Sequence, residues 1–370
     1  MRSTEPRDEA RRVLGICDAC GYCNGFCDLF EAARRRPALG DGDLTHLANL
    51  CHACRNCLYA CQYAPPHVFA VNVPRTLATL RQGTYVEHAW PNWLALLLEH
   101  SRLSTLIVTL VATGIMIALL LASAPPDVLF DRHQGAGAFY RVLPWETMAA
   151  IGAIPLGWSC LAIGIGLRRY WRRIRTTSVP LTTRALADAV RDVVLLRNLR
   201  GGGPGCNDLD DRLSHARRRL HQTLAGGVLL SFAATLVATL YHHALALEAP
   251  YPILSLPVML GTLGGIAMTL GALGLLWLKW REDPEPTAPE ARRSDSAILS
   301  LLLWVALTGL ALLIWRTSAA MGLLLAIHLG SVLALFLLLP YSKLVHAGYR
   351  FLSLLIEAME RQRKRAKSPG

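Results

Sequence analysis

Two runs of the sequence decide the N-terminal fold: CDACGYCNGFC at residues 17–27 and CHACRNCLYAC at residues 51–61. Both place four cysteines in the pattern Cys-x2-Cys-x2-Cys-x3-Cys. In two-cluster ferredoxins, three cysteines of such a run bind one [4Fe–4S] cluster and the fourth binds the other. Three thiolates at intervals of three residues wrap one face of a cubane, and the following turn points the last thiolate elsewhere. The predicted ligand sets are Cys17, Cys20, Cys23 with Cys61, and Cys51, Cys54, Cys57 with Cys27.

Other uses of these cysteines are weaker. Disulfides are disfavoured in a reducing cytosol, and zinc sites usually show paired Cys-x2-Cys units rather than runs of four. One departure concerns the residue after the fourth cysteine, usually proline, which is Asp28 or Gln62 here. It affects the local turn, not the ligation. Residues 28–50 favour helix over strand, so we expect a helical two-cluster ferredoxin-like domain over residues 1–100 rather than a compact β-rich one.

Long apolar stretches dominate the rest of the sequence. The 370-residue chain is 53% apolar and 17% charged, with a formal net charge of +12, whereas soluble chains carry about 25% charged residues. This composition excludes a disordered chain. A membrane span needs about 20 mostly apolar residues. Six stretches qualify: Leu103–Ala124, Thr147–Leu167, Leu224–Leu245, Leu254–Leu278, Ala297–Leu313 and Met321–Leu339.

The basic residues predict the topology. Six spans put both termini on one side, and that side carries all Lys and Arg except Arg132, Arg141 and Arg316. The positive-inside rule therefore predicts a bacterial inner-membrane protein with both termini on the cytoplasmic side. The basic pI reflects topology and gives no reason to expect a nucleic-acid partner. The basic loop 168–223 favours either contact with anionic lipid headgroups or docking of an acidic soluble partner, and residues 347–370 are expected to form a basic solvated or lipid-facing tail.

Histidines in and near the spans indicate haem, because ionisable residues inside a membrane are functional candidates. His328 and His346 are 18 residues apart, which is five helical turns and about 27 Å. Two bis-histidine b haems in a cytochrome b-like bundle would use an inner pair and an outer pair. The alternative is interfacial histidines that meet water or headgroups. The expected inner pair is His221 and His346, with His100 as a substitute for His221, and the outer pair is His328 with His242 or His243.

The remaining candidates are assigned no chemistry. The other histidines, His46, His52, His67, His88, His133 and His215, are interpreted as surface or loop residues. Cys160 and Cys206 are interpreted as structural, because single buried cysteines behave as small hydrophobes. The glycines of the fourth span favour close helix packing. The run RGGGPGC at residues 200–206 is a flexible loop by composition, and the sequence offers no physical reason for its form.

The combination of motifs resembles the tricarballylate utilization protein B family, also called the CitB-domain family. The resemblance covers nearly the whole chain. It rests on the cysteine runs, LRGGGPGC at 199–206, ARR at 216–218 before His221, LPVMLGTLGG at 256–265, HLG at 328–330 and PYSKLVH at 340–346. The spacing of His328 and His346 is also similar to that of the haem-binding helix of nitrate reductase cytochrome b subunits.

The resemblance implies an electron-transfer subunit rather than a stand-alone enzyme. A separate FAD-dependent dehydrogenase would oxidise tricarballylate to cis-aconitate, and this chain would reoxidise the reduced FAD and pass electrons to the quinone pool. A related sequence serves aerobic cobalamin (precorrin-3B) synthesis, so another flavoprotein partner stays open. Rivals from other classes are a membrane redox sensor and a transporter with a cluster-containing regulatory head. The sequence itself has no dinucleotide fingerprint and no α/β region, so any flavin lies on another polypeptide.

Overall fold

The structure, a computed structural model, describes residues 5–98, 102–175 and 179–367. Its N-terminal part is built of short helices around a leucine-rich core that includes Leu14, Leu47 and Leu77. The helix predicted over residues 28–50 is confirmed as two helices joined by a turn. The helices are α1 (Glu5–Cys20), α2 (Asp28–Arg34), α3 (Asp41–Leu50), α4 (Asn56–Tyr59), α5 (Val73–His88) and α6 (Asn92–Leu97).

Local chemistry sets the start of the longest N-terminal helices. The Asn72 side chain caps α5 by accepting a hydrogen bond from the Arg75 N–H at 3.1 Å, and Pro74 occupies the first turn, where its missing N–H costs nothing. At α3 the Asp43 carboxylate accepts the Gly40 N–H at 3.1 Å. These two helices pack against each other and against α1, which buries the apolar face of each.

Six helices are long and apolar enough to cross a membrane, and each overlaps one predicted span. Several extend beyond the apolar stretch; α10, for example, has 30 residues. The helical fold class is thereby confirmed. The spans are α7 (Arg102–Ser123), α10 (Trp145–Ile174), α12 (Ala216–Leu245), α13 (Leu256–Arg281), α14 (Pro289–Trp315) and α15 (Met321–Leu338).

Glycines allow the closest approach between spans, as the sequence predicts. A Cβ added at Gly264 of α13 would lie 2.5 Å from the Ser231 Oγ of α12, and one at Gly271 would lie 2.6 Å from the Leu224 nitrogen. Any larger residue would push these two helices apart. Helices α12 and α13 therefore form one tight antiparallel pair.

The connections contain further elements. A two-residue antiparallel pairing joins β1 to β2 within the loop before α12. Helix α11 follows the second span, and two short helices lie on the opposite side of the bundle. The connecting elements are α8 (Pro126–Leu129), α9 (Ala138–Val142), α11 (Thr183–Val194), β1 (Cys206–Asn207) and β2 (Leu213–Ser214), and α16 (His346–Lys367) follows the sixth span.

The C-terminal segment corrects one expectation. Residues 346–367 are not a solvated or lipid-facing tail as far as the structure describes them; they form α16, which packs against α3 and α11. Leu354 joins the leucine-rich core, Arg35 Nε donates to Glu360 Oε2 at 3.0 Å, and Arg361 Nη2 donates to Asp192 Oδ2 at 2.7 Å. The sequence could not reveal these partners because they lie more than 150 residues away in the chain.

The prediction that the remaining histidines are surface or loop residues is wrong for two of them. His46 in α3 and His88 in α5 are buried within the N-terminal part, whereas His133 lies in a loop as predicted, although it is buried beside α8. His88 stays in the interior because its Nδ1 lies 2.9 Å from the Thr84 carbonyl oxygen of its own helix. The boundaries predicted at residues 100 and 346 stay predictions.

Candidate metal centres and membrane histidines

The first predicted set of cysteines lines one cavity of about 250 Å³. Cys17 and Cys20 lie in the last turn of α1, Cys23 in the turn that follows, and Cys61 shortly after α4. Gly21 reverses the chain after α1 with φ +66°, a conformation that glycine adopts without strain. Its N–H donates to the Cys17 carbonyl at 2.9 Å. The structure thus brings together the four cysteines that the spacing predicts to bind the first cluster.

The second predicted set lines a narrower cavity of about 30 Å³. Cys27 precedes α2, Cys51 follows α3, and Cys54 and Cys57 belong to the loop and short helix between them. The loop is tightly wound, since Ala53 (φ +50°) and other residues of it adopt left-handed backbone. The Ala53 N–H lies 3.4 Å from Cys51 Sγ and donates to it. The two runs therefore exchange their fourth cysteines.

The electrostatics of both sites favour a cationic occupant. Burial, together with the neighbouring thiols of the same site, raises the pKa of Cys17 to about 12 and that of Cys23 to about 11. Burial likewise raises the pKa of Cys27 to about 12. Thiolates packed this closely repel one another, and a bound metal removes the repulsion. Cysteine-only sites of this kind suit soft metals and iron–sulfur clusters.

The spacing of these side chains does not suit a single ion. Within residues 5–98, 102–175 and 179–367, no three His, Cys, Asp or Glu side chains converge closely enough to hold one metal ion. Zinc bonds to sulfur at about 2.3 Å, so a mononuclear site draws its thiolates nearly into contact. A cubane is larger and holds its ligands farther apart, which agrees with the first cavity. The residues present fit a cluster better than zinc.

The glycine-rich loop, read as merely flexible from the sequence, covers the second site. Gly201 lines the second cavity, and its carbonyl accepts a hydrogen bond from Asn56 Nδ2 at 3.0 Å. A Cβ added at Gly202 (φ +78°) would lie 2.1 Å from the Phe26 carbonyl oxygen. The run of glycines therefore has a reason: the loop backbone presses directly on the backbone beside Cys27.

Cys206 ends this loop beside the second site. It is buried, with 1% of its surface exposed, and its thiol lies 3.3 Å from the Leu199 carbonyl. The Asn207 N–H donates to the Cys54 carbonyl at 3.0 Å. A hydrogen bond between the Cys54 and Cys206 thiols raises the pKa of Cys54 and lowers that of Cys206 to about 6. The burial agrees with a structural role, but no pattern in the sequence indicates that Cys206 and Cys54 are neighbours.

Arg217 attaches the second site to the membrane bundle. It lies in the first turn of α12, and its Nη1 donates to the Ala53 carbonyl at 2.9 Å while Nη2 donates to the His52 carbonyl at 3.3 Å. From the same cysteine loop, Arg55 forms a buried ion pair with Glu282 after α13. The only feature of the sequence that could have indicated this role is the position of Arg217, one helical turn before His221.

The predicted inner histidines meet at the end of the bundle that faces the N-terminal part. The ring centroids of His221 (α12) and His346 (α16) are 6.1 Å apart. Two imidazoles that share one metal ion at bonds of about 2 Å place their centroids roughly 6 Å apart. His346 Nδ1 lies 2.5 Å from the Lys343 carbonyl oxygen, which fixes the tautomer that leaves Nε2 available. Burial lowers the pKa of His346 well below its usual range, so the ring is neutral.

The predicted outer histidines are not brought together in the same way. His328 on α15 contacts α14: its Nδ1 lies 3.1 Å from Thr308 Oγ1, and its ring packs on Gly309. His242 instead stacks on Trp145 of α10, at 4.5 Å between centroids and 8° between planes. His243 meets the same tryptophan edge-on. His100, the substitute inner ligand, lies outside the described residues.

These features define a class of protein: a helical membrane protein of six long apolar helices with an N-terminal ferredoxin-like domain whose eight cysteines suggest iron–sulfur clusters. The chain belongs to the citrate utilization protein B family. The family profile described as "Citrate utilization protein B" matches residues 99–367, and that of the "Citrate utilization protein B Fer4-like domain" matches residues 10–87.

A curated relative agrees with this assignment. The chain is 43% identical over 365 residues to "Citrate utilization protein B" of Escherichia coli, across 97% of this chain and 94% of that protein. The tricarballylate utilization protein B family is the same family, so the resemblance found in the sequence is confirmed. No solved structure matches the chain.

Proposed function

We propose that this chain is a membrane electron-transfer protein that reoxidises the reduced FAD of a partner dehydrogenase through two [4Fe–4S] clusters and b haem to the quinone pool. One arrangement carries the proposal. The second four-cysteine site is held by Arg217, and one turn farther along the same helix His221 faces His346 at 6.1 Å. Family membership with an iron–sulfur domain makes electron transfer the natural use of this arrangement.

The eight cysteines would hold the clusters in the two sets described above. Iron–sulfur clusters supply one-electron carriers, which a two-electron donor such as a flavin needs before a one-electron chain. The protein adjusts such sites through hydrogen bonds to sulfur and through burial. The Ala53 N–H on Cys51 Sγ and the glycine loop over the second cavity would do so here.

His221 and His346 would hold a b haem near the cytoplasmic surface. Haem supplies a one-electron carrier inside the bilayer, where a flavin cannot reach. Both rings lie on long helices, which keeps their separation fixed. His328, with a partner such as His242 or His243, would hold a second haem, so the proposed number is one or two.

We place the protein in the bacterial cytoplasmic membrane with both termini in the cytoplasm, on the distribution of Lys and Arg. A fluorescent protein that folds only in the cytoplasm, fused after residue 370, tests this topology. Fluorescence in the membrane fraction supports it. The prediction would be contradicted if this fusion is dark and a fusion to a phosphatase that folds only in the periplasm, made at the same position, is active.

The partner would oxidise a small tricarboxylate. The Escherichia coli relative is named for citrate utilization, and the resemblance implies tricarballylate; both molecules carry three carboxylates. This chain would then deal only with the reduced FAD of the partner. A purified tricarballylate dehydrogenase that reduces the chain, only when tricarballylate is present, would establish the pairing.

Optical and EPR spectra of the purified protein test the cofactors. We expect a dithionite-reduced b-type Soret and α band with two reduced cluster signals. His346→Ala should remove at least half of the haem absorbance and leave the cluster EPR unchanged. His133→Gln is the matched control, because His133 is buried elsewhere, beside α8, with its Nε2 2.6 Å from the Val128 carbonyl oxygen. Clusters without haem in the wild type, or full haem in His346→Ala, would contradict the assignment.

A further inference from the structure

The two cysteine sites differ in what surrounds them. The second site lies under the glycine loop, against Arg217 of α12 and next to Glu282, which pairs with Arg55. Neither the glycine loop nor Arg217 lines the cavity of the first site. Of its cysteines, Cys20 is exposed, and Cys51 of the second site is buried. The first site therefore opens to the cytoplasm, and the second lies on the side of the membrane bundle.

An apolar and aromatic rim surrounds the opening of the first site. Tyr22 lines the cavity and is 64% exposed, and Tyr63 lines it from the other side. The Phe69 ring lies 5.7 Å from the Tyr63 ring and is 46% exposed, and the adjacent Val68 is 89% exposed. Apolar side chains this exposed outside the spans mark an interaction surface when they are grouped rather than scattered.

We propose that this rim, formed by Tyr22, Tyr63, Val68 and Phe69, is the docking surface for the FAD-dependent dehydrogenase, and that electrons enter through the first cysteine site. This inference rests on the proposed function. Reduced FAD loses two electrons and two protons, and the quinone takes up two electrons and two protons to become quinol. Because electron transfer slows steeply with distance, the flavin must approach the site that is open.

The size and chemistry of the rim suit such a partner. Redox complexes are transient and use small interfaces, below about 1,200 Å² in total, so a few side chains suffice. Aromatic residues are enriched in the centres of protein interfaces. A lipid surface is a poorer occupant, because the contacts with the membrane bundle are made by the second site and not by this rim.

The test compares glutamate substitutions on two exposed apolar surfaces. Val68→Glu and Tyr22→Glu place a charge in the rim, and Val190→Glu is the matched control on α11, where Val190 is 46% exposed. The purified full-length protein is mixed with reduced tricarballylate dehydrogenase, and cluster bleaching is followed by stopped flow. We expect the second-order rate constant to fall about tenfold or more in the rim variants, as for a truncated interface anchor. It should change less than about twofold in Val190→Glu.

Two further measurements separate the possible failures. Dithionite needs no docking, so it should reduce all variants at the wild-type rate, and a slower reaction in the rim variants would mean damaged clusters and overturn the docking assignment. Unchanged rates in the rim variants, or a loss confined to Val190→Glu, would also overturn it while leaving the proposed function intact. A wild-type protein that dithionite reduces but tricarballylate dehydrogenase does not would overturn both the docking assignment and the proposed pairing with that dehydrogenase.

Discussion

At the scale of single residues, glycines decide how the second cysteine site is covered. Gly202 has φ +78°, and any Cβ there would stand 2.1 Å from the Phe26 carbonyl oxygen. Gly203 in the same loop has φ +135° with nothing within 4 Å of a Cβ. An alanine at either position would be strained by the positive φ, but only an alanine at 202 would also clash with Phe26. Comparing the two substitutions therefore separates backbone strain from the steric clash.

Gly202→Ala is expected to lift the loop off the second site. The strain of left-handed backbone costs about 1–3 kcal/mol, and the clash with Phe26 adds to it. We expect the EPR signal of the second cluster to broaden or disappear while that of the first persists. Gly203→Ala should retain both signals. Equal damage in the two variants would mean that backbone strain alone, not the contact with Phe26, explains the effect.

At the scale of elements, α12 joins the cysteine loop to the inner histidine pair. Arg217 and His221 are one turn apart, which places them on the same face of the helix. Arg217 holds the carbonyl groups of His52 and Ala53, and His221 meets His346. A single rigid helix therefore fixes the second cysteine site relative to the histidine pair.

Arg217→Met should loosen the loop between Cys51 and Cys57. Each charge-assisted hydrogen bond contributes about 1.5–3 kcal/mol, so amide exchange at residues 52–55 should become at least tenfold faster. Arg219→Met serves as the control, because Arg219 is on the same turn but exposed. Hydrogen exchange with mass spectrometry measures both variants. Unchanged exchange in Arg217→Met would show that other contacts hold the loop.

At the scale of the whole molecule, the two cysteine sites have different access to solvent. The first is a cavity of about 250 Å³ with an exposed cysteine, and the second is a cavity of about 30 Å³ beneath a loop. The N-terminal part, the loop before α12 and α16 form one assembly around them, tied by ion pairs such as Arg35 with Glu360.

Removal of iron should follow this difference in access. When the oxidised protein is incubated with a chelator, we expect the first cluster to be lost before the second. Roughly half of the bound iron should then leave in a fast phase, since each site would hold one four-iron cluster. Iron analysis and EPR on timed samples follow the loss. Simultaneous loss of both signals, or earlier loss of the second, would contradict the expected order.

The sequence by itself determined the elements that depend on local spacing. The eight cysteines and their exchange between sites follow from the two runs, and the six spans follow from apolar length. The pairing of His221 with His346 was also predicted, because helical repeat and depth in the membrane limit which rings can meet. Apolar length did not determine where the spanning helices end, since α10 and α12 continue past their apolar stretches.

Only the tertiary structure decided what lies over these sites. The glycine loop on the second site, Cys206 beside Cys54, and the packing of α16 against the N-terminal part all join residues far apart in the chain. Such contacts depend on how helices cross, which no local pattern encodes. The same reason explains the outer histidines, whose positions along their helices follow from the sequence. In the structure the His242 ring of α12 stacks on Trp145, whereas the His328 ring of α15 contacts α14. Spacing fixes the depth of a side chain, and packing fixes its direction.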